Sequence, residues 1–154
     1  MRCIAAATDG SDAADRAIDF AADLASKFGA DLVLTNAISA STVASVGSGP
    51  VRSLATVRVP ITVENTSISE VVVDTAKDLL AKAKARAEAR GARQVDIEVR
   101  VGEPAEVILS VAKERKADVI VLGKRGQGRL TGLLLGSVSQ KVMTLARCAV
   151  IVIP

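Results

Sequence analysis

Histidine is absent from this 154-residue chain, as are tryptophan and tyrosine, and two phenylalanines are its only aromatic residues. Without histidine there can be no Ser–His or Cys–His nucleophilic pair and no histidine-ligated zinc. The shortage of aromatic rings also argues against a surface that stacks the bases of single-stranded nucleic acid. These absences exclude several large classes of enzyme and weaken the case for a nucleic-acid partner.

Cysteine is scarce as well. Cys3 and Cys148 both lie in apolar runs, which favours two buried free thiols over a disulfide and fits a reducing compartment. The N-terminal apolar stretch is too short for a signal peptide, and no apolar run approaches the ~20 residues that a membrane-spanning helix needs. We therefore expect a soluble, cytoplasmic protein with no membrane partner.

Acidic residues are missing from the C-terminal part of the chain. Residues 119–154 contain five lysines and arginines and no Asp or Glu, whereas the whole chain has a net charge of +3. A small positive region on a nearly neutral body favours one anionic ligand over a nucleic-acid backbone. The basic residues of 82–93 are interspersed with acids and alanines, so we interpret them as a solvated helix surface.

Aliphatic residues are abundant, and their spacing alternates between strand and helix patterns. Strands are predicted at 2–7, 32–38, 95–101, 118–122 and 149–153, and helices at 12–28, 67–90, 104–116 and 137–146. Strands that alternate with helices predict a doubly wound α/β domain, in which a parallel sheet carries helices on both faces. Residues 39–67 form an irregular insert for which the sequence suggests no firm structure.

The most informative segment follows the fourth predicted strand. It reads VIVLGKRGQGRLTGLLLGSV over residues 119–138 and leads into the last helix at Ser137. Glycines let backbone N–H groups converge on a ligand, and the helix N-terminus adds further N–H groups and a positive dipole end. Lys124, Arg125 and Arg129 add positive charge. Together these features favour a polyphosphate ligand.

Two well-known phosphate-binding loops do not match. A P-loop requires Gly-Lys-Ser/Thr at its end, but Arg129-Leu130 follows Gly128 here. A dinucleotide-binding fingerprint starts at Gly126, but Thr131 stands where its third glycine would be. The second strand also lacks the acidic residue that would hold a ribose in that fold.

The pattern that does fit is Gly123-x2-Gly126-x9-Gly136-Ser137. With Thr8-Asp9-Gly10-Ser11 after the first strand, GSVSQKV at 136–142 and CAVIVIP at the end, the chain resembles the nucleotide-binding branch of the universal stress protein family over essentially its whole length. The resemblance implies one Rossmann-like domain over 1–154, a five-stranded parallel sheet of order 3-2-1-4-5, and ATP with Mg²⁺ as the ligand.

The resemblance also implies roles for individual residues. Ala7, Thr8 and the backbone of Ala37 would lie beside the adenine, Leu122 would line the base and ribose, and Asp9 would face the ribose or a magnesium ion. The phosphates would be surrounded by Gly123, Gly126, Gly136, Ser137, Val138 and Ser139, with Lys124 and Arg125 as further candidates. The chain departs from the family at Asn36, where a histidine is frequent, and at Ala37, which is smaller than the usual valine.

Several of these residues also have purely structural interpretations. Ser137 could cap the last helix through a Ser137-x-x-Gln140 capping box, and Asp9 could form a turn or cap the first helix. Lys124 and Arg125 could be solvated loop charges, and Gly128 and Gly132 could provide loop flexibility. A similar capping box, Ser67-x-x-Glu70, precedes the helix predicted from residue 67.

The sequence favours a binding protein over an enzyme. The glycine–serine pattern is complete, but no residue is an obvious catalytic base. With the family resemblance, which implies a homodimer and a role in stress, we therefore expect a homodimeric, ATP-binding regulatory protein of the stress response. Its dimer would pair the apolar edge strand 149–153 with its copy. Two alternatives stay open: slow ATP hydrolysis or self-phosphorylation on Ser137 or Ser139, and a dimeric partner protein that needs no nucleotide. The preferred nucleotide is also open.

Overall fold

The computed structural model describes residues 1–39, 66–126 and 135–154. In these ranges the elements are β1 (Cys3–Ala7), α1 (Asp12–Phe28), β2 (Asp31–Ile38), α2 (Thr66–Ala89), β3 (Val95–Val101), α3 (Pro104–Glu114), β4 (Val119–Gly123), α4 (Ser137–Leu145) and β5 (Ala149–Ile153). Nearly all of the predicted insert at 39–67, together with Gly128, Arg129 and Gly132, lies outside the described residues.

The five strands form one sheet of order β3-β2-β1-β4-β5, and all neighbouring strands are parallel. This confirms the predicted doubly wound α/β fold. The chain moves outward from β1 to β3, then returns to the other side of β1 to form β4 and β5. A crevice therefore opens at the carboxyl ends of β1 and β4, where ligands bind in such sheets.

Each face of the sheet is covered by a pair of helices. α1 and α2 pack on one face through small side chains such as Ala17, Ala21 and Ala83, and α3 and α4 pack on the other through Val107, Val111 and Val142. Alanine at the buried positions lets α1 lie close to the strands. Because α1 lies so close, there is little space for a side chain at Gly123, the last residue of β4.

Caps define the ends of α1 as the sequence suggests. Ser11 Oγ accepts a hydrogen bond from the Ala14 N–H at 3.2 Å, and Gly29, with φ of +61°, terminates the helix. Arg86 of α2 and Arg90, the residue after that helix, form ion pairs with Asp19 and Asp23 of α1. The basic residues of α2 thus include partners of α1, on a solvent-exposed helix surface.

Two cap predictions are wrong in position. α2 already includes Thr66 and Ser67, so Ser67 is a helical residue and not the cap. Gly136, with φ of −69° and ψ of 153°, is the N-cap of α4, and Ser137 is its first helical residue. The serine is helical because the preceding glycine already adopts the extended conformation of a cap.

The two cysteines are free, as predicted, but each is half-buried rather than buried. They directly precede Ile4 and Ala149, which both align with Val119 of the intervening strand β4. Two strand spacings amount to roughly 9–10 Å, which exceeds the Cα separation that a disulfide can bridge. Among the described residues, no helix is both long and apolar enough to cross a membrane.

Candidate functional site: a cleft at the carboxyl edge of the sheet

A cleft of about 260 Å³ opens where β1, β2 and β4 end, between α3 and α4. The structure brings nearly all of the predicted site residues together around it: Ala7, Thr8, Asp9, Ala37, Leu122, Gly123, Arg125, Gly126, Gly136, Ser137, Val138 and Ser139. Lys124 is not among the lining residues. Assignment of these residues to nucleotide binding remains a prediction.

One side of the cleft is apolar. Ala7, Ala37 and Leu122 form it from the sheet, and Pro104 and Ile108 of α3 complete it. Neither α3 residue was predicted as a site residue, because both belong to no recognisable motif of the sequence. Only their place in the fold could have indicated them, because α3 follows β3 and packs on the same face of the sheet as Ala37. Small alanine side chains here leave room for a flat apolar group.

The end of β1 is held in a fixed conformation by hydrogen bonds. Thr8 donates its N–H to the Thr35 carbonyl at 2.9 Å, and the Asn36 amide donates to the Thr8 carbonyl at 2.6 Å. The Thr8 hydroxyl accepts from the Gly10 N–H at 3.1 Å. Asn36 thus holds the Thr8 carbonyl, just after the end of β1, in place.

The Asp9 carboxylate lies between the turn that precedes α1 and the glycine loop, the glycine-rich segment between β4 and α4. Its Oδ1 accepts a hydrogen bond from the Ser11 N–H at 3.0 Å, which confirms a turn-forming role, whereas Ser11 is the residue that caps α1. Its Oδ2 faces Gly126 so closely that a Cβ on residue 126 would lie 2.1 Å away. Glycine at 126 is therefore what lets the loop approach this carboxylate.

Hydrogen bonds join the residues on either side of the glycine loop. The Gly136 N–H donates to the Lys124 carbonyl at 2.9 Å, and the Ser139 hydroxyl donates to the Gly123 carbonyl at 2.8 Å. Lys124 also donates its N–H to the Ile153 carbonyl at 2.6 Å, which ties the start of the loop to β5. Ser139 is buried and its hydroxyl holds α4 against β4, so its side chain has a structural role.

Gly123 lines the cleft but is also required for packing. A Cβ at this position would lie 2.7 Å from the Ala13 carbonyl carbon and 2.9 Å from the Ala14 nitrogen. These are backbone atoms of the first turn of α1, which cannot move aside without displacing the helix. The glycine therefore has a structural cause that is independent of any ligand.

The N-terminus of α4 points its first turn at the cleft. Gly136 has no side chain to cap the helix, and Ser137, Val138 and Ser139 all line the cavity. The first N–H groups of a helix have no intrahelical partners and carry the positive end of its dipole. This end of the cleft is therefore suited to an anionic group, and the exposed Ser137 hydroxyl lies beside it.

Charged side chains surround the cleft unevenly. Asp9 and Arg125 line it. Lys141 of α4 forms ion pairs at 2.9 and 3.1 Å with Glu103, the N-cap of α3, and with Glu106 in its first turn. Partial burial alone would raise the pKa of the Glu103 carboxyl, but hydrogen bonds from Lys141 and from two backbone N–H groups of α3 outweigh burial and lower it. Across 1–39, 66–126 and 135–154, no three His, Cys, Asp or Glu side chains group as metal ligands.

Comparison with known proteins points to one family. The family model described as "Universal stress protein family" matches residues 1–154. Universal stress protein YxiE of Bacillus subtilis is 33% identical over 150 residues, covering 96% of this chain and 95% of that protein. Universal stress protein Rv1636 of Mycobacterium tuberculosis is 30% identical over 152 residues, covering 99% and 95%. A crystal structure of a universal stress protein in complex with cAMP has a TM-score of 0.70 and 26% identity, covering 99% and 95%.

Proposed function

Since this chain belongs to the universal stress protein family, we propose that its cleft binds an adenine nucleotide, with ATP and Mg²⁺ as the ligand, and that the protein acts as a nucleotide-binding regulator. The observation that carries this proposal is the meeting of an apolar wall and an uncapped helix N-terminus in one cleft. The related protein that was solved in complex with cAMP supports an adenine nucleotide as the class of ligand.

The two ends of the cleft suit the two ends of a nucleotide. Ala7, Ala37 and Ile108 offer apolar surface to the base, and the small alanines leave space for a planar ring. The first turn of α4 offers backbone N–H groups to the phosphates, helped by the positive charge of Arg125. Leu122 lies between these ends, where the ribose would sit.

The residues present also fit a magnesium ion that arrives with the phosphates. Mg²⁺ is usually held by one or two carboxylates together with substrate phosphates and water. Asp9 supplies a carboxylate in the cleft, and Gly126 lets the glycine loop approach it closely. Bound there, the ion would neutralise phosphate charge, while Asp9 keeps its hydrogen bond to Ser11.

Thermal unfolding with and without ligand tests this proposal. A ligand that binds only the folded state at one hundred times its Kd stabilises it by about 2.7 kcal/mol. We expect ATP with Mg²⁺ to raise Tm clearly, with ADP, AMP and cAMP measured alongside to rank the ligands. Ala37→Met should abolish the rise by filling the base position, whereas Ala85→Met, on the exposed surface of α2, should leave it intact.

No rise in Tm at millimolar concentrations of any of these nucleotides would refute the proposal. The nucleotide-independent partner protein would then be the better hypothesis. An equal rise in both alanine variants would place the nucleotide somewhere other than this cleft.

We also propose that the protein is a homodimer that pairs β5 with its copy. β5 is an edge strand made only of aliphatic residues, and four of its five side chains are half-buried. Arg16 of α1 donates a hydrogen bond to the Pro154 carbonyl, which places that side of α1 next to the end of β5. Phe20, one turn further along α1, is 39% exposed and would extend an apolar interface.

Light scattering after size exclusion tests the dimer. Val152→Lys places a charge on the β5 edge and should shift the mass from dimer to monomer at micromolar concentration. Ile97→Lys makes the same change on the opposite edge strand, at a side chain that is 40% exposed, and should not affect the mass. A wild-type protein that is monomeric would contradict the dimer.

Self-phosphorylation is a second candidate activity, and the exposure of the two serines favours Ser137 over Ser139 as the acceptor. Ser137 is exposed in the cleft, whereas the Ser139 hydroxyl is buried and donates to a backbone carbonyl. Incubation with γ-labelled ATP should therefore label wild type and not Ser137→Ala. Phosphate release or transfer no greater than in an Asp9→Ala variant would exclude meaningful turnover.

A further inference from the structure

The two helices that flank the cleft are connected by one lysine. Lys141 of α4 donates hydrogen bonds to Glu103 at 2.9 Å and to Glu106 at 3.1 Å, and both glutamates lie at the start of α3. No motif of the sequence singled out Lys141 for this role. Its ammonium group is directed toward α3 by two carboxylates, which distinguishes it from a cation that is available to a phosphate.

The contacts place this connection next to both parts of the proposed ligand site. Glu103 is the N-cap of α3, where its carboxylate accepts hydrogen bonds from the backbone N–H groups of Ala105 and Glu106. Pro104, the next residue, lines the apolar side of the cleft. Lys141 lies one helical turn after Ser137, which lines the opposite end.

We infer that Lys141 is a positioning residue of the ligand site, which holds the apolar wall on α3 at a fixed separation from the N-terminus of α4. This inference rests on the proposed binding of an adenine nucleotide. A ligand that bridges base and phosphate surfaces binds well only when both are placed correctly before it arrives, because moving them afterwards costs free energy.

Lys141 has a second effect through charge. Glu103 and Glu106 are two carboxylates near the cleft, and the lysine neutralises part of their charge. Without it, their field would oppose the approach of a phosphate. Positioning and charge predict the same direction of change in affinity, so the variants below are chosen to separate them.

The test measures the Kd of ATP with Mg²⁺ by calorimetry in four proteins: wild type, Lys141→Met, Lys141→Arg and Lys84→Met. Lys84 is a matched control because it also pairs with a glutamate of similar exposure, but on α2, away from the cleft; its side chain is 41% exposed against 39% for Lys141. We expect Lys141→Met to weaken binding about fivefold, a typical effect of residues that act through others. Lys141→Arg should restore most of the affinity, and Lys84→Met should match wild type.

A double-mutant cycle with Glu103→Gln then asks whether the two residues act through their contact. If they do, the double variant binds ATP as weakly as Lys141→Met alone. If the lysine acted only by neutralising charge, Glu103→Gln would instead restore most of the affinity that Lys141→Met loses. Melting curves of all variants confirm that the folded state is populated, which is expected because exposed ion pairs contribute little to stability.

The outcomes separate this inference from the proposed function. If wild type binds no ATP, the proposed function fails. If wild type binds ATP and Lys141→Met binds it as tightly as Lys84→Met does, the positioning role is overturned and the proposed function stands. Fully additive losses from Lys141→Met and Glu103→Gln, or restoration in the double variant, would also overturn it.

Discussion

Replacing Gly123 by alanine should destabilise the protein whether or not it binds a ligand. The Cβ would lie 2.7 Å from the Ala13 carbonyl carbon, about 0.7 Å short of the 3.4 Å at which ordinary contact begins. The atoms in the way belong to the backbone of α1. The whole N-terminal turn of α1 would have to move, and with it the alanine-lined contact between this helix and the sheet.

The expected cost can be estimated from similar changes. Adding a carbon atom to a closely packed region costs roughly 1–3 kcal/mol, and a backbone clash belongs at the upper end of that range. For a domain of about 150 residues, each kcal/mol lowers Tm by roughly 2–4 °C. We therefore expect Gly123→Ala to lower Tm by roughly 5–10 °C. Without such a clash, substitution of glycine by alanine would raise stability, because it reduces the conformational entropy of the unfolded chain.

Gly136→Ala is the matched control. Its Cβ would meet the Lys124 carbonyl oxygen at 3.4 Å, which is ordinary contact, and its φ of −69° suits alanine. Alanine is a poorer N-cap than glycine, so a loss of under about 1 kcal/mol is expected. Thermal unfolding by circular dichroism, with no nucleotide present, compares the two variants. Equal midpoints for Gly123→Ala and wild type would refute the packing explanation.

Three further predictions follow from single contacts. Gly126→Ala should displace the Asp9 carboxylate, which lies within 2.1 Å of the new Cβ, and so weaken ATP binding more than it lowers Tm; an unchanged Kd would contradict this. Burial raises the pKa of the Cys3 and Cys148 thiols, so alkylation at neutral pH should be slow in native protein and fast in urea, and mild oxidation of the monomer should form no disulfide between them. The hydrogen bond that Arg86 donates lowers the pKa of Asp19. This pair therefore contributes its full stabilisation above the usual carboxyl pKa and loses it as pH falls below about 4. Asp19→Asn should flatten that part of the curve of unfolding free energy against pH, measured by denaturant titration.

The fold was predictable because its signals are local along the chain. Aliphatic runs, helical spacing and the breaks at Gly29, Gly91 and Pro104 define elements whose alternation leaves few topologies. Errors were confined to element ends, such as the caps of α2 and α4, where neighbouring residues compete for the same role. The sheet order itself came from resemblance to a family, since periodicity alone does not specify it.

The glycine loop was also visible in the sequence, but the reason for each glycine was not. Gly123 is required by α1 and Gly126 by Asp9, and both contacts join residues more than a hundred positions apart. The same holds for Pro104 and Ile108, which reach the cleft only because α3 packs beside β2. No local pattern reports contacts of this kind.

By itself, then, the sequence determined which segments are helices and strands, the charge of the C-terminal region and the position of the loop at the end of β4. The tertiary structure decided how individual side chains divide between packing and the cleft. It directs Lys141 to two glutamates and uses Ser139 to hold α4 against β4. Such assignments depend on distances between elements, which form only when the sheet brings distant parts of the chain together.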